Sequence, residues 1–322
     1  MSNAASSAEE ATARRLAVLT TFDGLAAMML FLLAAALRGL KLSIEPVPVL
    51  MTLAVIGALL LAYRRQKGAQ GDVRLANSAG IVMVLFSGGL AGGLICLVGQ
   101  TFALPFIDPL LHRSDQMIGV DLTAIIGWIT RVEWVPRLLA VAYDSSFPLL
   151  FLTALAFVWT GRARQAWELC GIFNVCLLAA TISSALIPAV GAFHFLPIGE
   201  GVRAFLPPGS GIYHLEHLFA LRAAESFVID PTQLAGVATF PSFHTALALM
   251  TAAAWRNVPR IRVAMFAWQG LVIISTIPIG GHYVIDLIAG AACWGLAHVL
   301  WRKAQRVNTA TKSSGDVVPA FA

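Results

Sequence analysis

The sequence predicts an all-α polytopic membrane bundle of about eight spans, on three observations. Hydrophobic residues make up 58% of the 322-residue chain and charged residues only 12%, with a mean hydropathy of +0.78. Apolar stretches of about 20 residues, the length that crosses a hydrocarbon core, recur along almost the whole chain. Basic clusters follow at alternate ends of those stretches. An average soluble domain is about a quarter charged, so the composition excludes a soluble globular enzyme, a disordered chain and a nucleic-acid-binding domain. The net charge of +5 does not point to nucleic acid, because cytoplasmic membrane loops are basic. Cys96, Cys170, Cys176 and Cys293 all lie in apolar runs without a C-x-x-C pair, and read as small buried hydrophobes.

The Ala/Ser-rich N-terminus (1–13) reads as disordered, and Arg14 and Arg15 precede the first apolar run, 16–37. Ala34-Ala35-Ala36 resembles a signal-peptide cleavage site, but the run is long for one and contains Asp23, which favours an uncleaved span. Span two is 47–63, followed by Arg64, Arg65, Lys67 and Arg74; span three is 75–98. The stretch 101–137 carries Asp108, His112, Arg113, Asp115, Asp121, Arg131 and Glu133 and is too polar to cross lipid; with Trp128 and Trp134 it suits interfacial helices. Span four is 138–159, ahead of Arg162 and Arg164, and span five is 167–190. A long loop, 191–239, is punctuated by Pro197, Pro207, Pro208, Gly209 and Gly211. Spans six (240–255), seven (263–280) and eight (283–301) complete the pattern, with Arg256, Arg260 and Arg262, then Arg302, Lys303 and Arg306, behind spans six and eight. The basic clusters alternate correctly for both termini in the cytoplasm, Arg38 and Lys41 being the main exceptions. Loops 101–137 and 191–239 and the junction near residue 281 then share the outer face.

Ionisable side chains inside spans are costly, so each is a functional candidate. Two groups stand out: Phe240-Pro241-Ser242-Phe243-His244-Thr245, and Gly280-Gly281-His282-Tyr283-Val284-Ile285-Asp286 running on to Gly290. On a helix, His282 and Asp286 sit one turn apart on one face. A carboxylate there fixes the imidazole tautomer and leaves the other ring nitrogen as base or nucleophile. A buried polar pair joining helices has the same spacing. Pro241 suits a first helical turn, and Ser242 and Thr239 are possible caps. The free N–H groups of that turn, at Ser242 and Phe243, favour phosphate. His244 shares the turn; alone it reads equally as a histidine at the headgroup boundary. By the topology, His244 and His282–Asp286 reach one membrane face at one depth, which makes a phosphoryl-transfer constellation.

P-S-F-H followed by G-G-H-Y-V-I-D-L-I-A-G resembles the second and third signatures of the type 2 phosphatidic acid phosphatase/vanadium haloperoxidase superfamily, P-S-x-H and S-R-x-x-x-G-x-H-x-x-x-D. Ser275, Gly280, His282 and Asp286 match; Thr276 stands where that superfamily has arginine, and the first signature, K-x-x-x-x-x-x-R-P, is absent. Those departures look more like the inositolphosphotransferase branch, which holds inositol phosphorylceramide and sphingomyelin synthases. The similarity covers 236–290 and extends weakly over 110–190, where S-D-Q-M-I-G-V-D stands. Spans one and two lie outside it, and the chain is expected to divide into a disordered N-terminus over 1–15, N-terminal helices over 16–100, a catalytic membrane domain of the resembling kind over 101–303 and a disordered tail over 304–322.

The resemblance implies that His282 attacks phosphorus to form a phosphohistidine, that Asp286 orients the ring, and that His244 protonates the leaving oxygen and then acts as base. It implies no cofactor and no metal. The phosphate oxygens still need cations; Arg222 in H-L-F-A-L-R is the first candidate and Arg203 the second, each also readable as part of a solvated interfacial loop. His214, His217 and Glu216 form a weak metal-like cluster. Asp144 in Y-D-S-S either lines the same cavity or bonds to Ser145 and Ser146; Asp23, Asn77 and His298 read as helix–helix hydrogen bonds. The expected partners are a lipid phosphate or phospholipid and a bacterial-type inner or plasma membrane, with the site on the non-cytoplasmic face and no nucleic acid. A phosphotransferase and a hydrolase of phosphatidic acid or an isoprenoid diphosphate use the same residues. A non-enzymatic transporter or structural membrane protein is the third reading, against which stand the lack of an internal repeat and a polar cluster at an edge rather than the midplane.

Overall fold

Long apolar helices account for most of the chain because a backbone in hydrocarbon must satisfy its own hydrogen bonds. The computed structural model describes residues 3–68, 70–196, 198–234, 236–237 and 239–315. In chain order the elements are α1 (Asn3–Leu37), β1 (Lys41–Ile44), α2 (Pro46–Gln66), α3 (Val73–Gln100), α4 (Asp108–Met117), α5 (Leu122–Ile129), α6 (Trp134–Asp144), α7 (Ser146–Trp159) and α8 (Ala163–Leu186). There follow the short α9 (Ala192–Phe195) and α10 (Glu200–Arg203), α11 (Leu215–Ala223), β2 (Ser226–Ile229), α12 (Phe243–Trp255), α13 (Pro259–Ser275) and α14 (Val284–Gly315).

Five helices are long and apolar enough to cross a membrane: Ser7–Leu37, α2, α3, α8 and Val284–Val307. The pair α6–α7, bent by 47° at its break, makes a sixth if counted as one span. The expected eight is therefore met by length at five or six among the described residues. The other two apolar stretches fold as helices of 13 and 17 residues, α12 and α13. The first is short because Ser242, two residues after the expected start, caps it: the Thr245 amide donates to Ser242 Oγ at 3.4 Å. The protein is an integral membrane protein, and its outer surface agrees. No residue of α2 is buried, and Val47, Leu50 and Met51 are each more than 60% exposed, a surface fit for lipid tails rather than water.

The core is a bundle of α1, α3, α7, α8, α12 and α14. Small residues set its tightest contact, as they do where lipid removes the hydrophobic drive for association. A Cβ on Gly88 would lie 2.1 Å from Asn174 Oδ1, and one on Gly92 would lie 2.6 Å from Leu177 Cγ, so α3 sits directly against α8. Buried polar bonds tie in α1: Asn174 donates to Thr21 Oγ1 (2.8 Å), and Asn77 accepts from Trp167 Nε1 (2.9 Å) while donating to Glu10 (3.2 Å). His298 stacks on Trp294 of its own helix, and Asp23 is exposed, so neither matches Asn77 in role.

The ends of the chain differ from expectation. Residues 3–15 are the first turns of α1, not a disordered leader. The reason is tertiary: Arg164 pairs with Glu9 at 2.7 Å, and Ala13 is fully buried. Residues 304–315 likewise continue α14, and the remaining tail, 316–322, lies outside the described residues.

At the opposite end of the bundle from Arg164, three loop regions meet. Strands β1 and β2 pair in parallel, Lys41 with Ser226 through Ile44 with Ile229. Asp108, at the start of α4, accepts from the Val190 and Gly191 amides, both at 2.9 Å, and from the Tyr283 hydroxyl at 3.1 Å. Asp115 accepts from the Val284 and Ile285 amides at 2.9 and 2.8 Å. It thereby satisfies the first orphan donors of α14, where the helix dipole favours a negative charge. Both acids are almost completely buried. The polar stretch that cannot cross lipid is in this way the clamp that holds the start of α14.

Candidate active site

The two singled-out motifs lie side by side. The Ser242 amide donates to the Asp286 carbonyl at 3.0 Å, so the start of α12 is hydrogen-bonded to the first turn of α14. The close approach needs Gly290: a Cβ there would fall 2.2 Å from the Ser242 carbonyl oxygen. Within α14, Asp286 Oδ2 receives the Tyr283 amide (3.0 Å) and faces His282 Nδ1 (3.2 Å). Nδ1 thus carries the proton given to the carboxylate, and Nε2 keeps its lone pair. Nε2 lies 3.5 Å from Ser242 Oγ, a long contact, and Ser242 Oγ accepts from Thr245 Oγ1 at 3.1 Å. His282 is 4% exposed and Asp286 is wholly buried, so the carboxylate acts on the ring from behind.

His244 lies one residue into α12. Its ring stacks on Tyr143 with centroids 4.0 Å apart and meets Phe147 edge-on at 5.7 Å. These two aromatics come from either side of the α6–α7 break, so the bent span positions this imidazole. The Phe243 and His244 amides, first in the helix, have no preceding carbonyl of their own turn to bond.

His244 and His282 line one cavity of about 570 Å³. It is lined by Pro207 to Ser210, Tyr213, His214 and Gly236 from the long loop and by residues of α3 and α8. Buried His214 has its pKa lowered by desolvation, so it is neutral near pH 7, and its Nε2–H donates to the Val190 carbonyl at 2.9 Å. The Tyr143 and Tyr213 hydroxyls meet at 3.1 Å. Neither tyrosine stands out in the sequence, because nothing in Y-D-S-S or G-I-Y-H announces a pairing across 70 residues.

The two candidate arginines are elsewhere. Neither Arg222 nor Arg203 is among the residues lining the cavity. Arg222 donates to the Leu104 carbonyl at 2.7 Å with its guanidinium 3.9 Å above the Phe106 ring. Arg203 donates to the Ile198 and Phe193 carbonyls at 3.2 and 2.7 Å. Both fasten loop backbone rather than reach the imidazoles. Replacing Arg222 by Met should therefore lower the thermal midpoint in detergent while leaving kcat/KM within about threefold, since it removes a hydrogen bond and a cation–π contact remote from the cavity. A large rise in KM with unchanged melting would return it to the phosphate. Of the metal-like cluster, His214 faces the cavity, while His217 and Glu216 do not line it.

A buried imidazole held by a carboxylate, a second imidazole lining the same cavity and a helix start beside them form an arrangement chemically suited to phosphoryl transfer. The chain belongs to the PAP2 superfamily: the model of one of its families (PAP2_3, PAP2 superfamily) matches residues 109–300. It is also similar to a Haloferax mediterranei protein named Ammonium transporter Amt1, 26% identical over an alignment of 219 residues that covers 60% of this chain and 41% of that one. The chain thus spans less than half the length of that relative. No solved structure matches the chain.

Proposed function

We propose that the protein is a lipid phosphotransferase of the inositolphosphotransferase type, working through a phosphohistidine on the non-cytoplasmic face of the membrane. One observation carries the reading: His282, backed by buried Asp286, and His244 line one cavity that also runs along α3 and α8. In the first half-reaction His282 Nε2 attacks phosphorus in line and the bond from phosphorus to the leaving oxygen breaks. His244 gives that oxygen its proton, and Asp286 balances the charge gained by the His282 ring. In the second, an acceptor hydroxyl gives its proton to His244, its oxygen attacks phosphorus, and the phosphorus–nitrogen bond breaks. The amides of Phe243 and His244, at the start of α12, receive the phosphate oxygens.

The lipid substrate is supported by the cavity's shape. From the imidazoles it runs past Gly89 and Gly93 on α3 and Leu177 and Ala180 on α8, a wall fit for hydrocarbon. Transfer rather than hydrolysis is supported by the long loop that lines the cavity, since a loop there would shield the intermediate from water. Sidedness rests on the basic clusters: Arg64, Arg65 and Arg164 fall at the bundle end away from the imidazoles.

The test supplies labelled phospholipids and a series of long-chain alcohols to the purified protein. A transferase yields a new phospholipid whose amount rises with alcohol concentration. Release of water-soluble phosphate at a rate indifferent to alcohol would assign the hydrolase instead. Inactivity in wild type equal to that of His244→Ala would remove the enzymatic reading of this cavity.

A further inference from the structure

Helix α1 starts beside Arg164, through Glu9, and ends at Leu37 on the far side of the bundle. Arg38 and Lys41 follow directly, against the alternation that the other basic clusters keep. Neither forms an ion pair with any described residue. Both line a hollow of about 380 Å³, where the end of α1, the start of β1, the end of α3 and the segment between α11 and β2 meet. The hollow shares no lining residue with the cavity of His244 and His282.

The fold places both cations there. The Arg38 guanidinium lies 5.2 Å from the centre of the Phe102 ring, at the end of α3. Lys41 is fixed by its backbone, its amide donating to the Glu225 carbonyl at 3.2 Å, so its ammonium is not needed to hold the strand. The Glu225 side chain lines the same hollow and pairs with neither cation. Two cations and one carboxylate leave a formal excess of one positive charge, which a singly charged phosphodiester matches. Leu30, Leu33 and Leu37, in the turns of α1 leading up to Arg38, are 66%, 56% and 80% exposed. Their spacing of three and four puts them on one helix face, which suits hydrocarbon chains. A headgroup and its tails thus each find a matching surface.

We propose that this hollow is a binding site for an anionic phospholipid, its phosphodiester held by Arg38 and Lys41 and its acyl chains laid along the last turns of α1. The cationic part of the site precedes residues 109–300, the segment matched to the family, and the site is independent of the chemistry at His282. A bound headgroup bridges α1, α3 and the approach to β2, and so stabilises the junction of the N-terminal helices with the long loop.

The test uses the full chain in neutral detergent with phosphatidylglycerol and phosphatidylcholine of identical acyl chains, read by native mass spectrometry of retained lipid and by thermal melting. Wild type should hold one phosphatidylglycerol about tenfold more tightly than phosphatidylcholine, with a higher thermal midpoint. Arg38→Gln together with Lys41→Gln should abolish that preference, and Glu225→Gln should raise it about threefold. Arg64→Gln together with Arg65→Gln, at the other end of the bundle, should leave it unchanged. If loss of the Arg38–Phe102 contact unfolds the double variant, Lys41→Gln alone should still reduce the preference about threefold, and it removes no side-chain contact within the fold. An undiminished preference in the Arg38 and Lys41 variants overturns the proposal. So does an equal loss in the Arg64 and Arg65 variant, which would make the effect a general attraction of basic rims for anionic lipid. Displacement of the lipid by millimolar inorganic phosphate or glycerol phosphate assigns the hollow to a soluble phosphate instead. A preference weakened by Glu225→Gln assigns it to a zwitterionic headgroup; either result overturns the anionic-lipid site.

Discussion

On the proposed mechanism, replacing His282 by alanine is expected to lower kcat by about ten-thousandfold or more, since His244, the other imidazole at the reacting phosphate, is committed to proton transfer and has no carboxylate behind it. The geometry makes the effect chemical rather than structural. The ring lies at the junction of α13 and α14, and the start of α14 is held independently by Asp115 through the Val284 and Ile285 amides. Asp286→Asn should follow with a loss of about a hundredfold to ten-thousandfold, because an amide side chain no longer imposes the tautomer in which Nε2 is bare. The two variants are expected to be non-additive: without the imidazole, the carboxylate has nothing to orient. The readout is single-turnover product formation, with acid-labile, base-stable label on the wild-type protein and none on His282→Ala. More than about one per cent residual kcat in His282→Ala would sink the nucleophile assignment, being far more than loss of the group that forms the covalent intermediate allows.

The second large effect comes from a residue with no functional group. Gly290→Ala would put a methyl 2.2 Å from the Ser242 carbonyl oxygen and 3.3 Å from Thr245 Cβ. The nearest obstacle is backbone, which no rotamer change moves, so α12 and α14 must separate by roughly an ångström. A shift of about that size between a nucleophile and its acid costs about a hundredfold in rate. The overpacking itself is expected to cost about 1–3 kcal/mol of stability. Gly295→Ala, on the same helix with open space around its Cβ position, is the control and should behave as wild type. Thermal melting and kcat measured on the pair separate the effects. Equal activity in Gly290→Ala and Gly295→Ala would mean that the α12–α14 spacing does not govern the chemistry.

Hydropathy made most of the helices legible. The expected spans 47–63 and 75–98 differ by a few residues from α2 and α3, because burial in lipid selects apolar side chains along each element. The same measure is blind to what polar residues do after folding. It marked residues 101–137 as unable to cross the membrane, but not that Asp108 and Asp115 fold inward to clamp Gly191 and the start of α14. It took residues 1–13 for disordered because nothing local shows Glu9 meeting Arg164, 155 residues away. Ser242, His244, His282 and Asp286 could be singled out because they fall in two short motifs, although His282 precedes α14 and meets Asp286 from the junction before it rather than from one turn of the same helix. The arginines were misplaced because a guanidinium near the motif looks free until the carbonyls of Leu104, Phe193 and Ile198 are seen to receive it. The tyrosine pair and the α6–α7 bend required the tertiary fold to be seen at all.

The parallel pairing of β1 with β2 has a consequence for how the molecule is partitioned. Residues 41–44 precede the segment 109–300 that defines family membership, while residues 226–229 belong to it and lead into the part of the long loop that carries Gly236 to the cavity. A ribbon of main-chain bonds therefore moors that loop to the α1–α2 hairpin. The first two helices are thus not a detachable anchor: cutting them away would remove the strand on which residues 226–229 pair and leave that edge of the loop unheld.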